Sequence, residues 1–198
     1  FNTLLATIAR TLRDLQLAIA GALVMSADLE RMLSSILRGE VPAMWAKVAY
    51  PSLKPLASWV PDLMKRTGFI QAWYDEGKPA CFWISGFYFP QAFITGVMQN
   101  HARKYQLPID TVTYGYDMRD ESVEDVFASG PPSDGAFIWG LFLEGARWDM
   151  KEHKLAESRP KELFTDLPII HLLPIANRTP PTEGFYECPV YKTMARFG

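Results

Sequence analysis

Residues 140–149 read GLFLEGARWD, and the order of apolar, glycine and charged residues there sets the fold class of the second half of the chain. Trp139, Leu141 and Leu143 alternate with Ile138, Gly140 and Phe142, a period of two that belongs to a strand, whose successive side chains leave opposite faces. Gly145 supplies the backbone freedom of a turn, with Glu144 able to pair with Arg147 and with Trp148 and Asp149 just beyond. The stretch therefore reads as a hairpin. Outward from it the same alternation recurs at Val112, Tyr114 and Tyr116, and residues 169–173 form a short apolar run bounded by prolines, so these are strands as well.

Before Pro108 the period lengthens to about 3.6. Phe1, Leu4, Leu5, Ile8, Leu12, Leu15 and Ile19 recur every three or four residues while Arg10, Arg13 and Asp14 fall elsewhere, which predicts an amphipathic helix with one stripe that must pack. Ser26 offers an N-cap for a second helix with Asp28 in its first turn. Leu29, Met32, Leu33 and Ile36 carry it until Gly39. Pro42, Pro51, Pro55 and Pro61 break up the next residues, and a longer helix is expected to start with Pro61 in its first turn and run toward Trp73. Residues 75–79 read as a turn. Pro90 opens a further helix with the stripe Phe93, Ile94, Val97, Met98, Ala102 and Tyr105, ended by Pro108. Helices followed by strands predict an α+β fold, with an N-terminal helical half packed on a C-terminal antiparallel β-sheet or small barrel. The expected division is residues 1–108 and 109–198.

At 198 residues the protein is long enough to bury a real core, as one large domain or two small ones. A formal net charge of -2 without any run of lysines and arginines provides no attraction for nucleic acid or anionic lipid. The longest apolar stretch, residues 17–25, is about half of what a bilayer crossing needs. Neither a nucleic acid nor a membrane is an expected partner. Cys81 and Cys188 stand far apart with no zinc-finger spacing around them, which fits a reducing compartment. Asn177, Arg178 and Thr179 form a sequon, but Pro180 follows and nothing else points to secretion.

No phosphate-cradling loop is present. Gly77, Lys78 and Pro79 come nearest, yet Pro79 stands where a magnesium-binding hydroxyl is needed and no glycine lies at the required distance upstream. Glu144, Arg147 and Asp149 could be drawn as an acid/base set, but a turn between strands explains them without chemistry. Asp117, Asp120, Glu121, Glu124 and Asp125 miss the calcium-loop spacing and read as a solvated connection. His101 lies on an apolar stripe and reads as a core or edge histidine with one hydrogen bond, since His153 and His171 show no sequence pairing with it. Ser85 lacks the leading glycine of a nucleophile elbow. No catalytic residue, metal site or cofactor is therefore expected. Phe82, Trp83, Phe87, Tyr88 and Phe89 put five aromatic residues into eight positions, more than one segment can turn inward, so part of this cluster is a candidate docking surface.

The decapeptide resembles the signature hairpin in the C-terminal domain of axonemal dynein heavy chains, and other segments match that family in order. They are GALVMSADLE (residues 21–30), VPAMW (41–45), YPSLKPLASWV (50–60), FWISGFYFPQAFITGVMQNHARKY (82–105), LAESRPKEL (155–163) and YECPVYKT (186–193). The wording of YPSLKPL and FWISGF is most similar to the inner-arm heavy chains. Family members read through Pro61 without a proline, so a kink there would be particular to this protein. The resemblance implies a domain without catalytic activity or cofactor that lies across one face of the AAA+ ring of its own heavy chain, where the nucleotide sites belong. There it would brace the ring and tune an ATP-driven microtubule motor in the axoneme of a cilium or flagellum. The implied partners are that ring and other dynein subunits, with the microtubule met only indirectly. Candidate ring contacts are Phe1, Leu5, Ile8 and Leu12 on the first helix and Phe82, Trp83, Phe87 and Phe89 in the aromatic run. The signature positions are Gly140, Glu144, Gly145, Arg147, Trp148 and Asp149. The family continues past YECPVYKT into further strands, so the sheet or barrel is expected to be incomplete. The rival readings are an adaptor surface for another axonemal protein and a free-standing hydrolase using carboxylates near Glu144 and Asp149.

Overall fold

A computed structural model describes residues 1–176. The sequon, Cys188, the YECPVYKT motif and any further strands lie outside the described residues.

Helix α1 (Asn2–Ile19) buries Leu4, Thr11 and Leu15. Thr11 is tolerated on that face because its hydroxyl donates to Thr7 O at 2.8 Å and accepts from the Trp45 indole at 2.9 Å, so its buried oxygen is paired. Helix α2 (Ala27–Leu37) starts as expected, the Ser26 hydroxyl accepting from Leu29 N at 3.3 Å. Gly39 follows its end at φ 71°. The short helix α3 (Ala43–Ala46) delivers Trp45 to the core.

Helix α4 (Leu56–Glu76) begins earlier than its prolines suggest. Pro61 lies inside it, in the second turn, and Pro55 is the N-cap, its carbonyl accepting from Ser58 N and Trp59 N. The earlier start sacrifices one helical hydrogen bond at Pro61, but it turns Trp59 inward. There Trp59 stacks between Trp45 (6.2 Å) and Tyr50 (6.1 Å), and burying such a ring outweighs one amide bond. The helical core gathers around this stack with Leu4, Leu15, Leu29, Met32 and Leu63.

The main sheet has the order β1-β3-β8-β2, from β1 (Cys81–Trp83), β2 (Val112–Arg119), β3 (Ala136–Trp139) and β8 (Ile169–Ala176). β8 is antiparallel to both neighbours, whereas β1 runs parallel to β3. The edge strand β1 comes from before Pro108, so the helical stretch itself supplies a strand of the sheet. Helix α5 (Pro90–Tyr105), with Pro90 in its first turn as expected, covers one face through Phe93, Ile94 and Val97 against Phe82, Ile138, Ile170 and Leu172. The other face is covered by α6 (Val123–Ser129), with Val126 on Cys81 and Ile169. That helix corrects the reading of the acidic stretch as a plain connection. Ser122 and Asp125 form a reciprocal capping box, so one of those carboxylates starts a helix.

The α+β order holds, and among the described residues no closed barrel forms. The alternation through residues 138–143 is not one strand. β3 stops at Trp139 and Gly140 turns the backbone at φ 89°. β4 (Phe142–Glu144) pairs with β7 (Phe164–Asp166), and β5 (Ala146–Asp149) pairs with β6 (Lys154–Glu157). The decapeptide is therefore not a closed hairpin. Gly145, at φ 67°, is the bend that passes the backbone from one two-stranded ribbon to the other, and its amide donates to Leu163 O at 2.8 Å. No helix of the described residues is long and apolar enough to cross a membrane.

Candidate functional site

The contact candidates on α1 divide by exposure. Phe1 and Ile8 are half-buried against the helical core, Phe1 meeting Tyr50 and Tyr88 ring to ring. Leu5 and Leu12 are exposed, as is Ile19 further along. The apolar stripe is thus wider than the buried one, and its flank faces solvent.

The aromatic run is mostly consumed by packing within the domain. Phe82 is 2% exposed and Trp83 is buried beside it, which removes both as surface contacts: β1 carries them between α4, α5 and the sheet, where Phe82 packs on Trp73 and Phe93. Phe87 is half-buried and stacked on Phe93 at 4.8 Å. Tyr88 donates to Val48 O. Phe89 alone of the five is 67% exposed.

In the signature stretch, Gly140 is fixed by its surroundings. A Cβ there would stand 2.4 Å from Trp83 Cδ1 and 2.9 Å from Ser85 Oγ, at a backbone angle that side chains disfavour. Arg147 pairs with Asp149 at 2.8 Å rather than with Glu144. The two lie two residues apart on one face of β5, whereas Glu144 belongs to the other ribbon. Hydrogen bonds from Arg147 and from the amides of Lys151 and Glu152 hold the Asp149 carboxyl below its usual range. Glu144 is exposed, the Trp148 indole nitrogen is buried without a partner, and Asp149 is engaged. A general acid and base need a shared cleft, and the groove of about 540 Å³ between α2 and α3, lined by Asp28, Arg31, Ser35, Arg38 and Met44, includes neither carboxylate.

Two polar clusters were not read from the sequence. Asp62, buried on α4, accepts from Tyr50 Oη (2.8 Å), Lys54 Nζ (2.6 Å) and Arg66 Nε (2.7 Å). Burial alone would raise its pKa, but the three hydrogen bonds outweigh it and hold the carboxyl at about 2. Arg66 also donates to Ser85 O and lies 4.0 Å over the Tyr50 ring, so this ion network fastens the helical core to the turn after β1. Only the helical spacing of Asp62 and Arg66 signals it in sequence. The second cluster surrounds Asp134. His101 Nδ1 donates to its carboxylate at 2.8 Å and His171 Nε2 to its carbonyl at 2.9 Å. His101 does make one hydrogen bond, and through Asp134 it is brought together with His171, which sequence spacing did not reveal. Among the described residues no group of histidine, cysteine and carboxylate side chains could hold a metal.

Comparison with known proteins addresses all 198 residues. The family model for the C-terminal domain of the dynein heavy chain matches residues 1–198. The sequence is 50% identical over 198 residues to dynein axonemal heavy chain 1 of Rattus norvegicus, covering 100% of this chain and 4% of that protein. It is 50% identical over 200 residues to dynein axonemal heavy chain 3 of Mus musculus (100% and 5%) and 48% identical over 198 residues to dynein axonemal heavy chain 12 of Homo sapiens (100% and 6%). It thus spans about one-twentieth of the relatives it matches. The protein belongs to the family of C-terminal domains of dynein heavy chains.

Proposed function

We propose that this protein is the non-catalytic C-terminal domain of an axonemal dynein heavy chain, bracing the AAA+ ring and tuning the ATP-driven, microtubule-based motor of a cilium or flagellum. The observation that carries the reading is the exposed flank of α1. Leu5, Leu12 and Ile19 recur every two helical turns beside the buried Leu4, Thr11 and Leu15, and Val24, 86% exposed, extends the apolar line past the helix end. A helix meant only for solvent carries polar residues there, and an apolar line of this length fits a neighbouring module of the same polypeptide. The ion network from Asp62 to Ser85 supports the bracing role, because Arg66 ties the helical core to the turn after β1.

The test uses an intact heavy chain. Leu5→Asp combined with Leu12→Asp is expected to change ATPase rate or gliding velocity, whereas Lys78→Glu, on another exposed segment, leaves both within error. If the two sets of variants behave alike, the bracing reading falls.

A further inference from the structure

The β4–β7 ribbon carries a combination of residues that the α1 flank lacks. Its register places Phe142 opposite Asp166 and Glu144 opposite Phe164. Cross-strand partners share a face, so two phenylalanines and two carboxylates occupy one side of the ribbon while Leu143 and Thr165 turn to the other. All four are exposed. Phe142 is 60% and Phe164 55% exposed, and their rings meet edge to face at 5.3 Å. Neither Glu144 nor Asp166 has a hydrogen bond or ion pair from its side chain among the described residues. Some other exposed carboxylates are paired, such as Asp28 with Arg31 and Glu40 with Arg38.

We infer that this face docks a basic segment of the same heavy chain, one in which lysine or arginine flanks an apolar side chain. The apolar group would cover the paired rings, and the cations would reach Glu144 and Asp166 or lie over the ring faces. Charge excludes nucleic acid and anionic lipid. It also opposes a two-fold pairing of this face with a second copy, which would set the carboxylates against each other. Area decides between a separate protein and a tethered segment. A stable complex of separate proteins buries about 800 Å² on each side, several times what two half-exposed phenyl rings offer. A segment of the same polypeptide needs far less, because tethering supplies an effective concentration in the millimolar range. The relatives, of which this sequence matches only 4% to 6%, have ample polypeptide to provide one. The inference rests on the proposed reading of the protein as a domain that contacts the rest of its heavy chain.

The experiment places the photo-crosslinker p-benzoylphenylalanine in an intact heavy chain, at the position of Phe164 in one arm and of Leu12 in the other, and maps the products by mass spectrometry. The Phe164 arm is expected to link to a peptide of the same heavy chain with lysine or arginine beside the attachment point. Glu144→Lys with Asp166→Lys should lower that yield about tenfold, as expected when two complementary charges are reversed. The isosteric Glu144→Gln with Asp166→Asn should lower it less. Unchanged Leu12 products in the charge variants show that the fold is kept. Products on a separate polypeptide, on a second copy or on a peptide without basic residues overturn the inference, as does an absence of products above background. Same-chain products from Leu12 with none from Phe164 overturn this inference alone, whereas an absence of same-chain products from Leu12 overturns the proposed function.

Discussion

Tyr50 and Asp62 shift each other's acidity in opposite directions across a 2.8 Å hydrogen bond. The phenol is raised, by burial first and then by its bond to the carboxylate, while the carboxyl is held at about 2. The pair joins the segment after α3 to the inward side of α4, and Arg66 carries the connection on to Ser85. Removing the carboxylate would leave a guanidinium, an ammonium and a phenol facing each other.

Asp62→Ala is therefore expected to cost about 3 kcal/mol in chemical denaturation, the usual consequence of breaking a buried ion pair by deleting one partner. Lys54→Ala should cost well under about 1 kcal/mol, because its ammonium is half in water.

The pH dependence follows from the same carboxylate. Its folded pKa of about 2 lies below the ordinary value of 3.8, so its stabilisation is fully present above the unfolded pKa and is lost as pH falls from about 4 through 2. The loss should amount to about 2 kcal/mol. Asp62→Asn should flatten the stability profile in that window, and an unchanged acid limb in denaturation series would contradict this.

Gly140→Ala and Gly145→Ala test two glycines with positive φ under different crowding. The first meets Trp83 and Ser85, and the second has nothing within 4 Å. Gly145→Ala should cost about 1 kcal/mol for backbone strain alone. Gly140→Ala should cost roughly 3 kcal/mol, since a buried tryptophan must also move. Equal shifts in unfolding midpoint would refute the steric argument.

Burial pushes the Cys81 thiol up to about 12, leaving roughly one thiolate in ten thousand at pH 8. In a Cys188→Ser background the native protein should resist iodoacetamide at pH 8 and become alkylated only on unfolding. Rapid native-state labelling would show that the β1 edge opens readily.

The helical half was legible because its signals are local. Ser26, Gly39 and Pro90 act on residues within one turn, and the structure uses each as the sequence suggests. Pro61 misled because the burial of Trp59 between two distant rings decided where α4 begins. The decapeptide showed its bend at Gly145 but not its pairing, since the partners of β4 and β5 lie beyond it in sequence. The aromatic run announced more rings than one surface could need, yet only tertiary packing could separate buried Phe82 from exposed Phe89. Apart from the helical spacing of Asp62 and Arg66, the Asp62 and Asp134 clusters join residues up to 37 positions apart, beyond the reach of a local pattern.

The position of β8 bears on how the protein is made. It is hydrogen-bonded on both sides, to β3 and to β2, yet it is the last of the four to leave the ribosome. Until Ala176 has been synthesised, β3 and β2 have no strand to join them, and α5 has only part of the apolar surface it later covers. The helical core can condense during translation, whereas the sheet must wait and then close in one late step. Slow elongation or early termination before residue 169 would therefore release a polypeptide with an ordered front and an adhesive, unfinished back.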